Sequence, residues 1–211
     1  LMSWTRAELK EKARNFLKEH YWKAFLVTII VKLISGDFIN FGRIFNRINI
    51  KSSLYLLLLY ILIDIFIINV LRVGLMKFYI EGEKGNVDVL NVFSFFDSDG
   101  YLNIVKTMFL MNLYIVLWYL LFIIPGIVKS YEYIFIPYLL AENPNISVSE
   151  AFQETKRMTK KQKIDIFFLD LSFAGWYLLG NLVLIGACFV IPYHRAARTQ
   201  LYLATKNKAL N

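Results

Sequence analysis

Apolar residues run through six stretches of the chain, and charged residues gather between them. The stretches cover residues 22–35, 54–76, 103–124, 126–141, 164–179 and 182–198, and each predicts a membrane helix. The pattern is plainest from Asn112 to Asn145: an apolar run, Pro125–Gly126, a second apolar run, and a polar stop at Asn143-Pro144-Asn145. Proline removes a backbone donor and glycine takes a turn readily, so Pro125–Gly126 predicts two helices folded back on each other. The first stretch is short of the ~20 residues a span needs, so it crosses only by tilting, thinning the bilayer or packing on neighbours.

The polar segments carry their own periodicity. Residues 1–20 predict an amphipathic helix in the headgroup layer: Thr5-x-x-Glu8 is a capping box, and Leu9, Ala13, Phe16 and Leu17 share one face. Trp4, Tyr21 and Trp22 fit interface anchors. Ser147-x-x-Glu150 opens a second polar helix, and Gly180-Asn181 predicts the turn between the last two spans. Asn86–Phe93 matches Asn145–Phe152 at its first, fourth and last positions, and residues 8–26 align with 150–169. This reads as an amphipathic interfacial helix followed by an out-and-back hairpin, used three times, with chance similarity among membrane-flanking helices as the competing account.

Composition turns this pattern into a class. At 57% hydrophobic, with long runs free of charge, the chain lacks the polar surface of a soluble domain of its size. The expectation is an all-α polytopic bundle, one domain over residues 1–211. The net charge of +8 belongs to loops and ends beside apolar spans, which favours an anionic membrane face over nucleic acid. Seventeen of the 24 Lys and Arg fall on one set of segments, whereas the opposing loops carry Arg43, Arg47 and Lys51. The positive-inside rule then gives six crossings with both termini cytoplasmic. Reading residues 164–191 as one long span would export a C-terminal tail of four cations, and is disfavoured. A lone Cys188 forms no intramolecular disulfide. His20 and His194 have no second histidine or carboxylate at ligand spacing, so both read as structural interface residues, with no metal or cofactor expected.

Four ordered motifs carry a resemblance: Ile123–Gly126, Tyr138–Pro144, Leu171–Trp176 and Pro192-Tyr193. With them the whole chain resembles a bacterial family of integral membrane proteins, domain of unknown function 975. It is also similar to the membrane region preceding some glycerophosphodiester phosphodiesterase domains, though this chain holds no such catalytic domain. The resemblance implies a polytopic protein of the bacterial cytoplasmic membrane and brings no active-site residue with it.

Charges inside the apolar stretches are the candidate site residues, because each costs ~2.5–3.5 kcal/mol at mid-bilayer unless paired or wet. Asp64 and Arg72 lie eight apart and share a helix face, with snorkelling of Arg72 to the interface as the plainer alternative. Lys129 and Glu132, three apart, form a self-contained pair on structural grounds. Asp165 sits at a helix start, where a carboxylate complements the dipole. Asp170, beside Ser172, is the second acid expected to have a role. Tyr131, Tyr133, Tyr138 and Tyr177 can offer hydroxyls nearby, and Ala24/Thr28 and Gly126/Ser130 permit close helix approach within the bundle. Nucleophile elbows, metalloprotease motifs and phosphate loops are absent. The leading expectation is a non-catalytic membrane module that binds or organises a lipid, a peptide, a second copy or another membrane protein. A small transport component comes second, and an intramembrane lipid-modifying enzyme third.

Overall fold

A computed structural model describes residues 4–35, 50–182 and 186–210, all of them helix, turn or loop with no strand. Helix α1 (Arg6–Ile34) starts where expected: the Thr5 hydroxyl accepts the Glu8 amide at 3.2 Å. Glu8 turns to Lys12 at 2.7 Å rather than back to the cap, and that partner holds its carboxyl below the usual range. The expected break between an interfacial helix over 1–20 and a span over 22–35 does not occur. No helix breaker separates them, so α1 runs on for 29 residues, ~43 Å at 1.5 Å per residue. Leu9, Ala13, Phe16 and Leu17 are buried together, as the periodicity predicts. They pack inside the bundle, and Trp4, read as an interface anchor, is buried and donates its indole N–H to Gln162 at 2.8 Å.

Helix α2 (Ile50–Ile63), a π turn (Asp64–Ile68) and α3 (Asn69–Glu83) form one rod, which outruns the expected span of 54–76. The polar link after it holds a short 3₁₀ turn, Val89–Val92, capped by Asp88. That turn stands where the threefold pattern requires an amphipathic helix, and in the first unit the helix merges with its span. The repeat of interfacial helices therefore fails in two of its three units. The 3₁₀ turn is held tightly: a Cβ on Gly74 would collide with the Val92 carbonyl, so only glycine admits this approach.

Helix α4 (Tyr101–Leu121) and α5 (Ile123–Glu132) make the expected hairpin, but the turn is extended Phe122 rather than Pro125–Gly126. Proline is tolerated in a helix's first turn, where amides lack partners anyway, and Pro125 sits there. Gly126 instead lets α5 lie on the Tyr119 ring, 2.5 Å from where a Cβ would be. The fourth predicted span, 126–141, is not one helix. It breaks over residues 133–135 and resumes as α6 (Ile136–Glu142).

Ser147 caps α7 (Val148–Thr159) through the Glu150 amide at 3.2 Å, as read from sequence. Helix α8 (Lys163–Leu182) passes straight through the predicted Gly180-Asn181 turn, and α9 (Gly186–Leu210) carries Pro192 within it. The polar link between α1 and α2, with Phe38, Phe41, Phe45, Arg43 and Arg47, lies outside the described residues.

Apolar side chains fill the core and also cover parts of the outside. Leu54–Leu59 and Trp118–Ile124 present apolar side chains outward, while Asn69, Thr107 and Glu132 are buried. Among the described residues, two helices, Leu54–Glu83 and Tyr101–Leu121, are long and apolar enough to cross a membrane. Only 22% and 28% of their most apolar stretches are buried within the bundle, unlike core helices of a soluble domain.

Candidate functional site: three ion clusters

Asp170 stands one face into α8, where α9 runs back past it. Arg198 grips its carboxylate with two parallel bonds, Nε to Oδ1 at 2.9 Å and Nη2 to Oδ2 at 2.6 Å. His194, one turn before Arg198 on the same face, places Nε2 2.8 Å from Oδ1. A carboxylate so held only accepts, so Nε2 carries the proton, and Nδ1 lies 3.0 Å from the Tyr177 hydroxyl, accepting from it when the ring is neutral. Phe173 stacks on the imidazole with centroids 4.6 Å apart, fixing its plane. Asp170 keeps only 11% of its side chain exposed, so the charge is neutralised where it stands rather than by solvent.

Glu132 closes α5 and forms the second cluster. Lys129 donates to Oε1 at 2.7 Å, as the i, i+3 spacing predicts, and Lys163 at the start of α8 bonds the other oxygen. The helix break after Glu132 frees its backbone carbonyl, which accepts from Thr155 at 2.9 Å and Thr159 at 3.4 Å. One residue thus joins α5, α7 and α8.

The third cluster surrounds the π turn. Arg72 reaches Asp64 at 3.4 Å and Asn69 Oδ1 at 3.2 Å, and Asn112 on α4 also donates to Asn69 at 3.2 Å. Arg72 thus has partners on its own rod, while 36% of its side chain remains exposed. An α-helix would carry Asp64 and Arg72 around by eight residues; the π turn shifts the register within that interval. Asn69 is fully buried, and neither its Nδ2 nor the Thr107 hydroxyl has a hydrogen-bond partner.

All five residues expected from sequence, Asp64, Arg72, Lys129, Glu132 and Asp170, are therefore in ion pairs, but in three places rather than one pocket. His194, read as an isolated interface residue, is instead a partner of Asp170. Arg198, Lys163, Asn69 and Asn112 were not anticipated. The signal for the first cluster was His194 and Arg198 at i, i+4 opposite a lone acid, but their 24- and 28-residue distance from Asp170 hides the pairing. Asp165 lies in the first turn of α8, as its dipole reading predicts. Of the tyrosines, Tyr177 bonds His194 and Tyr131 also reaches Asp170, whereas Tyr133 packs edge-on to Phe152 at 4.9 Å and Tyr138 stacks on Tyr202 at 5.0 Å. Ala24 and Thr28 are buried, and Thr28 meets the Tyr79 hydroxyl at 2.9 Å. Among the described residues, no three His, Cys, Asp or Glu are grouped to hold a metal ion.

Compared with known proteins, residues 123–209 match the family described as Protein of unknown function (DUF975). All four resemblance motifs lie in that stretch, which spans α5 to α9, so the match is narrower than the whole-chain likeness read from sequence. No curated protein and no solved structure matches the chain.

Proposed function

We propose that this chain, with its DUF975 region over residues 123–209, is a non-catalytic integral membrane protein that binds or organises a lipid or protein partner in the bilayer. In this reading it crosses the bacterial cytoplasmic membrane six times, with both termini cytoplasmic. What supports that topology is the sequence: apolar stretches separated by the cationic segments 1–23, 77–100, 142–163 and 192–211, against three cations in the opposing loops.

The observation that carries the non-catalytic reading is the double grip of Arg198 on Asp170, with His194 as third partner. A carboxylate that serves as a proton carrier or general base must exchange its proton. One held by a bidentate guanidinium in a site of low exposure stays charged and paired. Asp64 and Glu132 are likewise committed to neighbours. Asp170 and Glu132 join helices and Asp64 is paired along its own rod; in this reading none of them waits for substrate.

A transport role draws on the helix break at residues 133–135, since broken helices meeting inside the bilayer build transporter sites. Here the freed Glu132 carbonyl is satisfied by Thr155 and Thr159, which leaves it engaged rather than offered to an ion. Reconstitution separates the two. Proteoliposomes should show no solute or proton flux above empty vesicles, and flux abolished by Asp170→Asn would overturn the proposal. A C-terminal reporter should be active only in the cytoplasm.

A further inference from the structure

A groove with a volume of about 640 Å³ lies between α1, α8 and α9, beside the Asp170 cluster but lined by other residues. One wall is cationic: Lys10, Arg14 and Lys18 recur every fourth residue on α1, so they form a stripe rising ~6 Å per step. The other wall is apolar and aromatic, with Trp176 from α8 and Phe189, Val190 and Tyr193 from α9. No acidic residue lines it. Glu8 on the same helix is committed to Lys12, and Glu19 lies beside His20. Lys10, Arg14 and Lys18 have no ion pair among the described residues.

The groove is built rather than incidental. The Tyr193 hydroxyl donates to the Lys10 carbonyl at 3.3 Å, and the Tyr21 hydroxyl to the Phe189 carbonyl at 3.4 Å, tying α1 to α9 across its floor. The Lys10 ammonium sits 4.6 Å over the Phe173 ring and donates to the Ser172 carbonyl at 3.4 Å, which fixes it at the edge of the groove. Burial and neighbouring Arg6 push this ammonium down from its ordinary value, a bias that an anion alongside would oppose. Trp176 and Phe189 remain 56% and 45% exposed, so the apolar wall is open to an acyl chain.

We infer that this groove is a binding site for one anionic phospholipid, its phosphate on Lys10, Arg14 and Lys18 and an acyl chain along Trp176, Phe189 and Val190. Charge complementarity selects the occupant. Three uncompensated cations beside an apolar wall fit a molecule with a negative head and an apolar tail, and a neutral lipid leaves the cations unpaired. The inference rests on the membrane reading above and names the class of lipid it involves.

Native mass spectrometry of the detergent-purified full chain, titrated with phosphatidylglycerol and with phosphatidylcholine of the same acyl chains, tests it. The expected result is one phosphatidylglycerol held per chain in preference to phosphatidylcholine. The K10Q/R14Q/K18Q variant should lose about a hundred-fold in that affinity, since each cation near an anionic lipid contributes about a factor of five. K156Q/K160Q/K161Q removes the same charge elsewhere and should bind as the native chain does. If the triple variant does not fold, Arg14→Gln alone should weaken binding several-fold. Equal retention of both lipids, equal loss in the two triple variants, or an acidic peptide binding where phosphatidylglycerol does not would each overturn the site. Carbonate extraction separates the two levels: a chain released from membranes sinks the membrane reading, whereas a retained chain with cation-independent lipid binding sinks only the lipid site.

Discussion

Asp64 and Asp170 are both acids inside apolar helices, yet the structure treats them differently. Asp64 meets Arg72 on its own rod at 3.4 Å, with 24% and 36% of the two side chains exposed. Asp170 meets His194 and Arg198 on another helix at 2.6–2.9 Å, with 11% of its own side chain exposed. A local pair can form in an isolated helix and adds little to tertiary structure. A pair across helices exists only once both are docked, so it reports and enforces that docking. Burial also changes what removal does, because Asp170 is the more enclosed acid, and without it Arg198 loses the carboxylate that takes both of its bonds.

The largest expected effect follows directly. Asp170→Ala should lower unfolding stability by about 3–5 kcal/mol, as for other buried pairs that lose one partner, read as a fall in thermal midpoint in detergent. Replacing both partners, D170L with R198L, should cost less than the two single changes added together, since neither charge is then stranded. Glu132→Gln comes next, at about 2–3 kcal/mol, because it leaves Lys129 and Lys163 near each other while the backbone bonds from Thr155 and Thr159 survive. Asp64→Asn should cost less than about 1 kcal/mol, since Arg72 keeps its bond to Asn69 and its exposed side can turn away. An Asp64 effect as large as that of Asp170 would erase the contrast. The smallest change is Gly175→Ala: a Cβ there meets nothing within 4 Å, so the helix should gain up to about 1 kcal/mol.

The same contrast explains what could be read in the sequence. Features set by neighbours a few residues away were legible: the Thr5 and Ser147 caps, the buried Leu9–Leu17 face, the Lys129–Glu132 pair and the hairpin of α4 and α5. Whatever depended on helices meeting was not. Lys163 reaches Glu132 from 31 residues away, and no local spacing announces it. Helix breaks failed for a related reason. Pro125 marks a first turn as readily as a stop, and the break at residues 133–135 is sustained by threonines of α7 rather than by a breaker of its own. Continuity of α1 was hidden because a change from amphipathic to apolar composition looks like a boundary, whereas the backbone needs only the absence of one.

The tyrosine at the far end of α9 follows the same rule as Asp170. Tyr202 donates to Glu142, and burial together with that carboxylate pushes its phenol well above the ordinary value, so it remains a donor. Lys206 joins the same carboxylate at 2.6 Å. Each descends from α9, which thus carries partners for α6 and α8 alike.

The most direct test is a double-mutant cycle on Asp170 and Arg198, with unfolding free energy measured in detergent for the native chain, D170L, R198L and the double variant. The account predicts that each single change is severe, that the double variant is far milder than their sum, and that the coupling is on the order of 2–3 kcal/mol. Additive single effects with no coupling would mean that the pair does not hold α8 to α9, and the reading of these charges as structural would fall.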